Sequence, residues 1–204
     1  VRILDLYCCQ GGIAAGFAAE GHEVTGIDIA EQPRYPFQFI RADAIAYALR
    51  YGAQYDFIHA SPPCQFATRA QKIRGCVHPN LIPATRQALQ ASGRPYTIEN
   101  VEGAREHLEN PLLLCGALFG LHTYRHRLFE CGGGFSLQAP PHPAHRAAPV
   151  KMGRPVERGQ FYHAVGNFSG AAYIREDLGM PWADRDGLRE CVPPAYGRYI
   201  AASL

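Results

Sequence analysis

The opening of the chain limits its architecture more than any other stretch. Val1 to Leu6 is an apolar, strand-like run; Cys8-Cys9-Gln10-Gly11-Gly12 turns it; Ile13 to Ala19 is a compact helix-like run stopped by Gly21; and Val24 to Ile27 is strand-like again. Strand, glycine turn, short helix and strand make a β-α-β unit, which belongs in a parallel sheet carrying helices on its faces. The spacing Gly-Gly-x-x-x-Gly from Gly11 to Gly16 is not the dinucleotide fingerprint, and no lysine completes a phosphate loop. NAD and ATP therefore suit this turn poorly.

The alternation continues downstream. Phe37 to Ile40 reads as a third strand, Ala44 to Tyr51 as a helix ended by Gly52, Tyr55 to His59 as a fourth strand, Ile82 to Ser92 as a helix and Tyr96 to Val101 as a fifth strand. Leu112 to Cys115 and Arg127 to Glu130 read as two more strands around the turn at Gly116 to Thr123, and Tyr124-Arg125-His126-Arg127 in extended form sets two arginines on one face. Further helices are expected over Tyr173 to Met180, after Asp184, and over Gly197 to Leu204. The fold class is α/β, a doubly wound sheet with helices on both faces. Cys131 to Arg158, rich in glycine and proline, is either a linker or a small irregular lobe. The expected division is a catalytic domain over 1–130, a reduced lobe over 131–186 and a closing segment over 187–204.

Open α/β sheets do their chemistry at the carboxyl ends of the strands. Four side chains at or near those ends have chemical capacity. Asp28 closes the second strand, where a carboxylate can accept hydrogen bonds from ribose hydroxyls; it can also simply form a turn. Asp43 follows the third strand and can meet a nucleoside base or cap the helix at Ala44. Cys64 follows the fourth, after Pro62-Pro63, whose fixed φ angles hold the chain stiffly and present the thiol in a set direction. Such a thiol is either a buried small hydrophobe or a nucleophile. Glu99 sits among apolar neighbours in the fifth strand, so its carboxyl must be paired, neutral or functional.

Composition excludes other classes. No apolar run approaches the roughly 18 residues of a membrane span, and the chain opens directly into a strand with nothing that reads as a secretory leader. Seven cysteines, an odd count, do not suit a disulfide framework, and a reducing cytoplasm is expected. No metal is expected: nothing nearby completes a set with Cys76 and His78, and His142, His145 and His163 read as solvent-facing or DNA-facing. The net charge of +2 names no partner, but acid-free basic stretches run from Phe57 to Tyr96, with Arg69, Lys72, Arg74, Arg86 and Arg94, and from Cys131 to Val156, with Arg146, Lys151 and Arg154.

Together these pieces resemble the DNA cytosine-5 methyltransferases, and most closely the short methylases carried by bacteriophages. Asp5-Leu6-Tyr7-Cys8-Cys9-Gln10-Gly11-Gly12 is similar to that family's first motif, Ser61-Pro62-Pro63-Cys64-Gln65 to its nucleophile motif, Glu99-Asn100-Val101 to its acid motif and Arg125-His126-Arg127 to its paired-arginine motif. Val192-Pro193-Pro194-Ala195-Tyr196 is similar to the last motif, whose helix packs against the first. The resemblance implies a Rossmann-like sheet that uses S-adenosylmethionine, releases S-adenosylhomocysteine and acts on double-stranded DNA as a monomer or weak dimer. It implies Cys64, Glu99, Arg127 and Arg125 as catalytic residues. Tyr7, Gly11, Gly12, Asp28, Ile29, Asp43, Ala44 and Pro63 then hold the donor, and Gln65, Arg69, Lys72, Arg74, Arg146, Lys151 and Arg154 meet DNA, with 66–79 as a lid over an extruded base.

Several features depart from the family pattern. Cys9 and Gln10 replace smaller or apolar residues in the turn and could narrow the donor pocket. Either Glu190-Cys191 or Gly166-Asn167 could complete that pocket. The segment before the last motif is short for a target-recognition domain. A variant that takes a modified sulfonium donor or another pyrimidine is one alternative, and a catalytically weak DNA-binding relative is another. A zinc deaminase is not, because Pro63-Cys64-Gln65-Phe66 lacks the second cysteine that chemistry needs.

Overall fold

A computed structural model describes residues 1–67, 78–151 and 153–204. Strands β1 (Arg2–Leu6), β2 (Glu23–Asp28), β3 (Gln38–Arg41), β4 (Phe57–Ala60), β5 (Tyr96–Asn100), β6 (Leu112–Leu114) and β7 (Arg127–Gly132) form one seven-stranded sheet in the order β3-β2-β1-β4-β5-β7-β6. The first five are parallel; β7 runs antiparallel to β5, and β6 antiparallel to β7. Among the described residues the α-helices are α1 (Gly12–Ala19), α2 (Ala44–Tyr51), α3 (Ile82–Ser92), α4 (Ala171–Leu178), α5 (Arg185–Glu190) and α6 (Pro194–Ala201).

Two buried clusters line the two faces of the sheet. Leu4, Leu6, Ile27, Ile58 and Ile98 meet α2 and α3 through Ala44, Ala48, Ile82 and Leu89. Ile3, Phe57 and Phe129 meet α1 and α6 through Phe17, Tyr196 and Ile200, and this cluster extends through Tyr162, Phe168, Ile174, Leu178 and Leu188. The α4 and α5 region thus shares a core with the first strand. Asp177 of α4 fastens it by taking hydrogen bonds from the Tyr162 hydroxyl (2.7 Å) and the His122 backbone N–H (3.0 Å), with His122 Nδ1 at 2.6 Å.

Two arginines from the basic stretches serve the fold. Arg86 on α3 donates to both oxygens of Glu130 on β7, at 2.7 and 2.6 Å, and to the His107 carbonyl, while Glu109 N–H also donates to Glu130. Glu130 is 1% exposed, so this bidentate pair compensates a buried charge. Arg94 donates to the Ala53 carbonyl.

The last helix lies on the first. Glycine at Gly16 and Gly197 lets the two backbones touch: a Cβ built on Gly16 would stand 2.1 Å from the Pro194 carbonyl oxygen and 2.7 Å from Arg198 N. The last helix starts at Pro194, three residues earlier than expected, because a proline at the first helical position has no N–H to satisfy. β7 starts at Arg127, so Arg125 lies outside it, at φ 29°. The left-handed backbone breaks the alternation, and the expectation of two arginines on one strand face fails.

Gly16→Ala gains up to about 1 kcal/mol of helix propensity but must push backbone atoms apart, at about 1–3 kcal/mol or more. We expect net destabilisation, seen as a lower urea midpoint with an unchanged slope; equal or higher stability would show that the helices can separate without cost.

Candidate active site

The residues resembling catalytic motifs converge at the carboxyl ends of β4 and β5. Strand β4 ends at Ala60 and hands over to Ser61-Pro62-Pro63-Cys64, after which Gln65–Ala67 forms a short 3₁₀ turn. Asn100, buried at the end of β5, donates from Nδ2 to the Pro62 carbonyl at 2.9 Å and ties the proline corner to the neighbouring strand. Glu99 on β5 is 5% exposed, and its Oε1 lies 2.9 Å from Arg127 Nε on β7. No aligned donor among the described residues reaches that oxygen, so the contact is an ion pair rather than a formed hydrogen bond.

The electrostatics follow from burial and these neighbours. Burial pushes the Glu99 carboxyl above the ordinary range, and Arg127, a hydrogen bond from Ser61 and Arg125 pull it partly back. Burial also raises the Cys64 thiol; the Glu99 carboxylate raises it further and Arg127 lowers it. Thiol, carboxyl and guanidinium are therefore one coupled group.

A support that the sequence did not mark lies behind them. His59 on β4 is fully buried, with Nδ1 2.9 Å from Thr97 Oγ1 and Nε2 2.8 Å from Ser61 Oγ. Burial lowers its pKa to about 3, so the imidazole is neutral and holds the serine that faces Glu99. A histidine inside an apolar strand run was the available signal.

Arg125 is placed differently from Arg127. Its guanidinium donates to the carbonyls of Ala164 (3.3 Å), Arg189 (2.7 Å) and Cys191 (2.6 Å), and the Tyr196 hydroxyl donates to its own carbonyl at 2.7 Å. Burial and Arg127 lower its pKa to about 10. It braces the closing segment instead of facing Glu99 with Arg127.

The second half of the site surrounds the glycine turn. Tyr7, Cys9 and Gly11 all have positive φ (60°, 46° and 75°), an unusual density of left-handed residues that concentrates strain here. Gly12 opens α1 against the closing segment, where a Cβ would stand 2.2 Å from the Val192 carbonyl oxygen and 2.8 Å from Cys191 Cβ. Cys9 Sγ lies 3.7 Å from Glu190 Oε2. Glu190-Cys191 is thus the pair set against the turn, and Gly166-Asn167 is held through Arg189 and Arg185. Gln10 exchanges hydrogen bonds with Asp184, 2.8 Å to Oδ1 and 3.1 Å from its N–H, and so joins the turn to the cap of α5.

Asp28 accepts from the N–H groups of Cys9 (3.1 Å) and Ala30 (2.9 Å), which leaves each carboxylate oxygen a further lone pair. Ile29 beside it is 70% exposed. Asp43 caps α2 by accepting from Ala46 N–H at 2.8 Å, and buried Ala44 opens that helix. Tyr7 places its hydroxyl 2.8 Å from Thr85 Oγ1. A carboxylate with spare acceptors beside an exposed apolar side chain at the end of β2 suits a ribose and a flat base. These residues fit a nucleoside-bearing donor.

Pro63, Gln65, Arg146, Lys151 and Arg154 are on the surface. Arg69, Lys72 and Arg74, with most of the expected lid, lie outside the described residues.

No protein-family model matches the chain, and a search of curated proteins finds no match. Solved structures do share its fold. An Entamoeba histolytica methyltransferase overlaps with a TM-score of 0.53, covering 100% of this chain and 93% of that one at 10% identity. The chain has a Rossmann-like methyltransferase fold. Spodoptera frugiperda DNMT2 overlaps with a TM-score of 0.45 at 19% identity, over 75% of this chain and 55% of that one. Schizosaccharomyces pombe Dnmt2 gives 0.44 at 18%, over 64% and 50%. The chain spans about half the length of these two.

Labelling of Cys64 by iodoacetamide, followed by peptide mass spectrometry, is expected to rise with pH through a midpoint above the ordinary thiol value of about 8.5. Glu99→Gln removes a like charge and should lower that midpoint; Arg127→Gln removes a cation and should raise it. Shifts of the opposite sign would break the coupling.

Proposed function

We propose that the chain transfers a methyl group from S-adenosylmethionine to C5 of cytosine in double-stranded DNA. The observation that carries this reading is the electrostatic coupling of Cys64, Glu99 and Arg127 at adjoining strand ends. C5 of cytosine is too weakly nucleophilic to take a methyl group unaided, and thiol addition at C6 with a proton at N3 makes the ring enamine-like. Cys64 supplies the sulfur. Glu99, whose raised pKa keeps its proton to higher pH, delivers that proton to N3 and holds the exocyclic amine. Arg127 orients Glu99, favours thiolate at Cys64 and meets the O2 edge. Elimination of Cys64, once the C5 proton is lost, restores the ring.

S-adenosylmethionine, when bound, supplies an electrophilic methyl group on a sulfonium. Asp28 holds its ribose, and Ile29, Tyr7, Asp43 and Ala44 surround its adenine. The Gly11-Gly12 turn and Pro63 would line the rest of the donor site. Arg125 acts as a positioning residue through the carbonyls it holds. Because the target atoms lie inside the base stack, the base is extruded first. Gln65, Arg146, Lys151 and Arg154, with Arg69, Lys72 and Arg74, meet DNA largely through phosphates, so recognition is short and salt-dependent.

On DNA carrying 5-fluorocytosine, elimination is blocked, and a stable adduct should map to Cys64 alone. An adduct on another cysteine, or active Cys64→Ser protein, would overturn the assignment. Glu99→Gln should lower turnover by about 10²–10⁴-fold while donor binding survives. Asp28→Ala should weaken donor binding by about 1.5–3 kcal/mol in calorimetry, and no loss would move the ribose elsewhere.

A further inference from the structure

Cys115, His126, His142 and His145 form a cluster whose ligand atoms all lie within 4.8 Å of one another. They come from three places in the fold: Cys115 directly follows β6, His126 directly precedes β7, and His142 and His145 belong to the irregular segment after β7. The sequence reading set His142 and His145 toward solvent or DNA, because their partners are 16 to 30 residues away in the chain.

The contacts are too close, and too many, for imidazoles bonding only to one another. His126 Nε2 lies 3.0 Å from His142 Nε2 and 3.3 Å from His145 Nε2, and Cys115 Sγ lies 3.5 Å from His145 Nε2. Nδ1 of His126 stands 2.9 Å from a Glu102 carboxylate oxygen, which fixes the proton on that nitrogen. The neutral ring then offers a single lone pair at Nε2, yet two other ring nitrogens face it. One donor can use that lone pair; a cation can satisfy all four groups together.

The separations also match a particular geometry. A tetrahedral zinc ion with Zn–N of about 2.0–2.1 Å and Zn–S of about 2.3 Å sets its ligands about 3.3–3.7 Å apart. The contacts of 3.3 and 3.5 Å fall in that range, and the 3.0 Å contact lies just below it. The ligands are already held. Cys115 is fully buried, and His145 stacks on Tyr124 with centroids 3.5 Å apart and planes 13° from parallel. Glu102 orients His126 as a carboxylate orients a zinc-bound histidine.

We infer that Cys115, His126, His142 and His145 bind one zinc ion, with Glu102 orienting His126. Three imidazoles and one thiolate suit this borderline-soft metal, and four protein ligands close the coordination sphere, which makes the site structural. It pins the segment carrying His142 and His145 to the β6–β7 edge of the sheet. His126 adjoins Arg127, so the metal also fixes the approach to the Glu99 ion pair.

The test needs no enzyme activity and does not depend on the reaction proposed above. Tag-free full-length protein from zinc-supplemented cells should contain one zinc per chain by elemental mass spectrometry. Cobalt substitution should give the visible bands of a tetrahedral ion and a thiolate charge-transfer band, the latter lost in Cys115→Ser. His142→Ala/His145→Ala changes only exposed ligands and should fold, yet retain almost no metal. Chelator should lower the melting midpoint of the parent and open its 133–160 segment to protease, leaving the double variant's midpoint unmoved. Glu102→Gln should weaken zinc affinity by about 10–100-fold, and unchanged affinity would overturn its orienting role. Parent protein that takes up no zinc, or a double variant that keeps one per chain, would overturn the site.

Discussion

A buried arginine holds the two ends of the architecture in register. The Arg125 guanidinium reaches three backbone carbonyls, at Ala164, Arg189 and Cys191, while its own carbonyl takes the Tyr196 hydroxyl. Its pKa, lowered to about 10, still leaves it cationic at neutral pH, so its desolvation must be offset by those acceptors and by nearby negative charge at Glu99. Nε finds no partner among the described residues, which keeps the site expensive and specific. Lysine could not replace this fork, since one ammonium cannot span carbonyls so far apart in the chain. The Arg189 and Cys191 carbonyls belong to the segment that lies against Gly12, and the clamp therefore sets the wall of the glycine turn and the start of β7 together.

The buried polar groups around Glu99 are arranged by the same economy of partners. Thr97, His59 and Ser61 form a file of short contacts beneath the proline corner, and Asn100 holds that corner from the neighbouring strand. A neutral imidazole can donate from one nitrogen and accept at the other, so it fixes the hydroxyls on either side without adding charge beside a carboxyl. Arg127 supplies the charge instead. Its imperfect alignment with Oε1 leaves that oxygen room for another donor, which is how a site prepared for a ligand differs from one closed on itself.

Much of the fold was legible because the local signals agreed with one another. The β-α-β opening, the helix over Ile82–Ser92 and the Asp184 cap appear where periodicity, turn glycines and capping residues placed them. The strand ends were legible too, since Asp28, Cys64 and Glu99 each stood next to a recognisable terminus. What escaped depended on backbone conformation or on distant partners. Arg125 and Arg127 look equivalent in an extended reading, and only φ 29° at Arg125 turns one inward toward carbonyls and leaves the other at Glu99. His59 looked like one more strand residue. Gln10 seemed to crowd the turn, whereas its amide is engaged by Asp184, 174 positions away.

The contact between α1 and α6 has a consequence for how the molecule is made. The glycine face of α1 is covered by Cys191, Val192 and Pro194, which lie far along the chain from it. Contacts such as Gln10 with Trp182 and Cys9 with Glu190 span 172 and 181 positions. Loop closure over such a span costs only slightly more than over a shorter one in free energy, but it delays the search. Until the closing helix docks during folding, α1 lies beside the sheet with its glycine backbone uncovered. The glycine turn, local in sequence, is thus completed by partners far along the chain.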